Sequence, residues 1–294
     1  MSAPATREQT AATTADRQLP VRGAGVRELG LTLPPARMPR IQRGRPLKRW
    51  RYVGVYGPEW MLCVGDARIG PVPQRWWAIA TPDGELIERT TLGRAGLSLA
   101  PGRVSLRAPG LELELELDEG RPGAVETVSP ATGGYIWTRK HGDVAARGEM
   151  RFRDRRIAIE APAFIDESAG YHDRHTQWRW SAGVGRARRG ERVAWNLVAG
   201  IHDAERASER SVWVDGEPHE VPPAEFAADL SGVSLAGGEG ELRFKPWATR
   251  EEDVNLLLMR SRYRQPFGTF SGTLPGVGEL AEGYGVMEEH DVLW

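Results

Sequence analysis

Glu167–Gly183, ESAGYHDRHTQWRWSAG, gathers two His, two acids, two Arg, one Tyr and two Trp within seventeen residues. Asp, Glu and His serve as general acids or bases once a pocket moves their pKa toward the working pH. Trp supplies the apolar wall that moves it. Tyr171-His172-Asp173 is the leading catalytic candidate. Asp173 or His172 would protonate an alkene or carbonyl of a bound apolar molecule, because a carboxyl enclosed by rings keeps its proton at neutral pH. In a strand His172 and Asp173 point to opposite faces, so they share a site only if Gly170 marks a bend. The alternative is an Asp and a His that hydrogen-bond backbone at a seam between domains.

Tyr171 and His175 flank that pair as candidate ligand contacts. Trp178 and Trp180 share one strand face and either line a cavity or fill a core. Trp137 poses the same question, as do Trp50, Trp76 and Trp77. Eleven Trp in 294 residues is more than core filling uses, which favours an aromatic-lined pocket. Asn196, in the strand Val193–Gly200, either orients a ligand or bonds strand backbone. Glu288, beside Glu289 and His290, is a further candidate, since adjacent acids repel and one of them faces inward. His172, Asp173, His175, His202 and His290 are ligand types for a metal, but no third ligand at metal-binding spacing is identifiable, and no metal or organic cofactor is expected. No phosphate-binding Gly loop or Gly-x-Ser-x-Gly elbow is present.

The elements that must position these residues read as strands. Arg49–Tyr56, Trp60–Val64, Trp76–Ala80, Leu86–Thr90 and Val104–Arg107 carry aromatic and β-branched residues between turn signals. Leu111–Asp118 alternates strictly, which places four Leu on one face and acids on the solvent side. Val193–Gly200, Ser211–Val214, Glu241–Phe244, Val254–Tyr263, Gly268–Leu274 and Gly283–Glu288 continue the pattern. The 35 Gly and 21 Pro interrupt helical windows, leaving short turns of helix at Ala204–Ser211 and Ala224–Leu230. Residues 1–40 read as a flexible tail, with Leu31–Pro35 beginning to pack. A seam near Pro130–Gly142 divides the rest into β units 41–140 and 141–294.

A formal net charge of -1 gives no electrostatic case for nucleic acid. The single cysteine, Cys63, reads as a small core residue. No apolar run reaches the length of a membrane span, and the N-terminus lacks a secretory pattern, so a cytoplasmic location is the expectation.

The segments GYHDRHTQWRW, VAWNLVAGIHD, VWVDGE, FGTFSGTLPGVG and GYGVMEEHDVLW, with RWRYVGVYGPEWMLCVGDARIG earlier, resemble an uncharacterised bacterial family of domains of unknown function over roughly residues 40–294. That family is distantly similar to the AttH-like proteins, which include carotenoid 1,2-hydratase (hydroxyneurosporene synthase), chiefly through Gly170-Tyr171-His172-Asp173 and the Trp cluster after it. Certain cyclases and Diels–Alderases share the architecture. The resemblance implies an all-β fold of two tandem lipocalin-like antiparallel β-barrels, with a ligand pocket at or near their junction.

Three functions fit. One is a cofactor-independent hydratase, cyclase or isomerase acting on an isoprenoid or other lipid-like molecule. A second is a non-catalytic lipid or pigment carrier. The third is a structural protein whose Trp residues are all core. Fold alone does not choose among them.

Overall fold

A computed structural model describes residues 19–93, 96–256 and 259–294. In chain order the strands are Val21–Arg22 (β1), Ile41–Gln42 (β2), Arg45–Pro46 (β3), Lys48–Tyr56 (β4), Met61–Ile69 (β5), Val72–Ala80 (β6) and Leu86–Leu92 (β7). Leu97–Ala100 (β8), Arg103–Ala108 (β9), Leu111–Leu117 (β10), Val125–Ala131 (β11), Gly134–Phe152 (β12) and Arg155–Gly170 (β13) follow. The second half contributes His175–Ala187 (β14), Arg192–Ala199 (β15), Ser211–Val214 (β16), Glu217–Glu220 (β17) and Ala224–Phe226 (β18). Gly232–Leu235 (β19), Gly240–Leu256 (β20), Met259–Leu274 (β21) and Gly278–Leu293 (β22) complete it.

Two large antiparallel sheets result. The first runs β7-β6-β5-β4-β13-β12-β10-β9-β8, with β11 joining β12 and β1. The second runs β17-β16-β15-β14-β22-β21-β20-β19-β18. Each curls round its own apolar filling. Val53, Val55, Leu62 and Ile79 from one flank of the first sheet meet Leu106, Leu111, Leu113 and Leu115 from the other. Trp195, Leu197 and Val212 meet Phe244, Phe270 and Leu280 in the second. The chain is thus an all-β pair of lipocalin-like barrels in tandem, as expected.

A third apolar layer joins the two sheets. Tyr52, Tyr56, Met61, Cys63, Ala78 and Phe164 of the first pack on Trp180, Ala182, Val184, Phe267 and Val286 of the second. Strand β4 is therefore buried on both faces from Arg51 to Tyr56, Val53 and Val55 inward and Tyr52 and Tyr56 toward the other sheet. Strand β10 has only one buried face, and its alternation is clean: Leu111, Leu113, Leu115 and Leu117 are buried. Burying these faces supplies the main driving force, roughly 25 cal/mol per Å² of apolar surface. Close approach of strands also needs glycine. A Cβ on Gly65 would stand 2.1 Å from the Trp76 ring, its cross-strand partner on β6.

Four expectations need correction. Residues 134–142 lie inside β12, within the first sheet, and the chain crosses between sheets at 171–174. The Pro and Gly that suggested a seam make the tight β11–β12 hairpin instead. Residues 19–40 are not a loose tail: Val26, Leu33 and Met38 are buried against Tyr135, Trp137 and Tyr171. Residues 1–18 lie outside the described residues. Ala204–Arg210 is an irregular loop and Ala224 begins β18. The short helical turns are Gly23–Glu28 and Ala236–Gly238.

Candidate functional site

A cavity of about 170 Å³ opens between the two sheets. Its wall on the first sheet is built from cross-strand neighbours. Asp166 of β13 sits between Tyr52 of β4 and Lys140 of β12. Trp50, Ile69 and Trp76 extend that wall. On the second sheet, Glu252, Tyr263, His290 and Trp178 form one row across β20, β21, β22 and β14. In the next row, Arg250 pairs with Gln265, and Trp180 lies between Glu288 and Val198. Ile201, His202 and Glu209, from the loop between β15 and β16, close one side.

Two carboxylate centres stand in this cavity. In the first, Lys140 Nζ lies 2.5 Å from Asp166 Oδ1 and 3.2 Å from Glu209 Oε1. Trp50 Nε1 donates to Asp166 Oδ2 at 3.3 Å. Burial works to discharge Lys140, but the two carboxylates outweigh it and hold its pKa above the ordinary value. One ammonium cannot neutralise two carboxylates, so burial and Glu209 together raise the pKa of Asp166 despite Lys140.

The second centre is Glu288. Trp178 Nε1 donates to its Oε1 at 2.8 Å, while Tyr263 OH and Gln265 Nε2 each donate to Oε2 at 2.9 Å. Among the described residues it has no ion-pair partner. Burial pushes its pKa up to about 7, more than the Trp178 and Tyr263 hydrogen bonds pull it down. A carboxyl that exchanges its proton near neutrality inside an aromatic cavity is suited to general acid and base work. His290 stands beside it, 4.4 Å ring to ring from Trp178, with Nε2 2.8 Å from Ser261 Oγ. Burial lowers the His290 pKa to about 3, so the imidazole is neutral.

Arg250 crosses from the second sheet to the first. Its Nε reaches Glu88 at 2.6 Å and its Nη2 reaches Thr90 at 2.7 Å. Cys63 is buried at the same junction, its thiol pushed up to about 12 by burial, which fits the core role expected of it.

The residues singled out from sequence are dispersed. Trp178, Trp180 and Glu288 meet in the cavity. Asn196 is buried behind it, accepting from Trp180 Nε1 at 2.7 Å and donating to the Glu209 carbonyl at 2.9 Å. His172 is buried and packs 5.0 Å from the Trp50 ring but does not line the cavity. Burial holds its pKa well below the ordinary value, helped by His202 and Lys48. Asp173 is exposed on the crossover, accepting from the Thr132 amide at 3.0 Å, so the expectation of an acid enclosed by Trp rings is not met there. His175 is exposed too, 2.7 Å from Asp291. Tyr171 and Trp137 are buried beneath residues 19–40, with Tyr171 OH donating to the Pro39 carbonyl at 2.9 Å. Among the described residues no group of three or more His, Cys, Asp or Glu is placed to hold a metal.

Sequence reasoning missed Lys140, Asp166, Glu209 and Tyr263. Asp166 carries a signal, an acid directly after the apolar run Ala163-Phe164-Ile165. Tyr263 carried none, because Arg260-Ser261-Arg262-Tyr263-Arg264 reads as a solvent-facing strand.

Residues 95–294 match the family described as "Domain of unknown function (DUF2804)". The chain belongs to the DUF2804 family. No curated protein matches it by sequence. Its fold is similar to that of a protein described as AttH from Nitrosomonas europaea. The TM-score is 0.55 at 14% identity, with 87% of this chain and 97% of that one covered. It is similar also to kievitone hydratase from Nectria haematococca, with a TM-score of 0.54 at 11% identity, covering 82% and 88%. These likenesses establish the AttH-like two-barrel fold. No helix among the described residues is long and apolar enough to cross a membrane.

Proposed function

We propose that the cavity binds a hydrophobic small molecule, isoprenoid or lipid-like, and that Glu288 exchanges a proton with it in a cofactor-free hydration. The observation that carries this reading is the state of Glu288, a buried carboxyl with three hydrogen-bond donors and a pKa of about 7. Protonated Glu288 would add its proton to one alkene carbon. The neighbouring carbon becomes cationic and is faced by the Trp178 and Trp180 rings, whose quadrupoles favour positive charge. Water then adds to that carbon and returns its surplus proton to Glu288, so alkene plus water gives alcohol and the acid is restored. The likeness in fold to a protein named kievitone hydratase supports the choice of hydration over other proton-transfer chemistry.

The test is incubation with farnesol or kievitone in ¹⁸O-enriched water, with mass spectrometry of the product. Incorporation of one ¹⁸O is expected, lowered about a hundredfold or more in Glu288→Gln. Wild-type turnover in that variant would remove Glu288 from the chemistry. Stoichiometric binding without incorporation would favour the carrier.

A further inference from the structure

We infer that His202 is a specificity-determining ligand contact, through which the cavity selects apolar molecules bearing a neutral hydroxyl or carbonyl oxygen over the bare hydrocarbon. The inference rests on the cavity being the apolar-ligand site proposed above and names the polar handle that its ligand carries.

His202 belongs to the loop that joins β15 to β16. The loop is fixed at both ends. The Gly200 amide donates to Asp203 Oδ2 at 2.7 Å, and Glu209 carries the loop to Lys140 at 3.2 Å. Asn196 Nδ2 donates to the Glu209 carbonyl at 2.9 Å. At His202 the backbone takes φ 53°, a left-handed conformation uncommon for a residue other than Gly and one that clusters at functional positions. The outcome is an imidazole turned inward, 8% exposed and lining the cavity.

The other polar groups of the cavity are largely engaged with one another. Lys140, Asp166 and Trp50 form one set, Glu288, Trp178 and Tyr263 a second, His290 and Ser261 a third. His202 is different: neither ring nitrogen has a hydrogen-bond partner among the described residues. The Trp76 indole N–H, on the facing sheet, is also unpartnered. Buried polar groups are nearly always satisfied, and an orphan aimed into a cavity points to a ligand atom. A neutral imidazole offers one donor and one acceptor, and the indole a second donor. Both donors suit an oxygen acceptor, and a hydroxyl also suits the free imidazole nitrogen.

The charge on that oxygen is constrained as well. Burial, with Lys140 adding to it, lowers the His202 pKa to about 3, so the ring carries no charge to attract an anion. Lys140 already serves two carboxylates, and Arg250 is engaged by Glu88. A carboxylate or phosphate headgroup is therefore disfavoured, and an alcohol or carbonyl fits.

Calorimetric titration of the full chain with farnesol, farnesene and farnesoate separates these cases, since the three share a skeleton. Wild type is expected to bind farnesol about tenfold more tightly than either of the others. His202→Phe should reduce that preference to about twofold or less. His202→Gly, which suits the left-handed backbone, should do the same if the Phe variant fails to fold. His202→Asn, which tolerates that backbone and keeps a donor and an acceptor, should restore part of it. Equal binding of farnesol and farnesene by wild type, or an unchanged preference in both His202→Phe and His202→Gly, would overturn the inference while leaving the cavity reading intact. Binding of none of the three would bring down the cavity reading and this inference with it.

Discussion

Asp166 and Glu288 are two carboxyls in one cavity, on opposite sheets, and their surroundings differ in one respect. Asp166 has a cation 2.5 Å away and is held in a buried charge cluster with Lys140 and Glu209. Glu288 has three neutral donors and no ion pair among the described residues. Burial raises the pKa of both carboxyls, but Lys140 ties Asp166 to Glu209 in a charge cluster that holds the two sheets' residues in place, whereas the neutral donors around Glu288 leave its proton exchangeable. The lesson is that burial alone does not mark a catalytic acid. The counter-charge decides.

Removing that counter-charge breaks the comparison most severely. Lys140→Met would leave Asp166 and Glu209 buried and unpaired, and the expected loss is about 3–5 kcal/mol of stability, read by urea denaturation near neutral pH. A loss under about 1 kcal/mol would mean that the cluster is hydrated and not a structural ion pair.

Glu288→Gln sharpens it. Folded Glu288 holds its proton up to about pH 7, against an ordinary value of 4.5. A group whose folded pKa is raised gives its full contribution below 4.5 and loses it as pH climbs to about 7. The swing is up to about 3 kcal/mol. Glutamine does not titrate, so stability of the variant relative to wild type should rise by that amount between about pH 4.5 and 8. A difference that does not change with pH would show that Glu288 titrates normally.

The smallest effect is expected at the acid that sequence put first. Asp173 makes one hydrogen bond to the Thr132 amide from an exposed crossover. Asp173→Asn should cost about 1 kcal/mol or less in thermal stability and leave ¹⁸O incorporation within about twofold of wild type. A hundredfold loss of turnover would return Asp173 to the mechanism.

Legibility followed burial geometry. The Leu111–Leu117 alternation was readable because β10 has one wet face, so a period of two survives. In β4 the same period is present but masked, because Tyr52 and Val53 are both apolar and face different cores. Trp178 and Trp180 are legible as one face, since parity along a strand is local, and both line the cavity. The segment around Asp173 looked most like a site because its polar residues are dense, yet density reflects a crossover between sheets, where the chain surfaces at 173 and buries at 172.

Strand content, the single core cysteine and the aromatic wealth of the cavity are set by residue type and short-range spacing. The sequence alone could not show that Glu288 keeps its proton. Its donors lie 110, 25 and 23 residues away in the chain, and the first sheet that seals it from water is built from residues before Tyr171. Desolvation is a property of everything that surrounds a group. Only the packing of one sheet on the other assigned the acid and the ion pair their separate places.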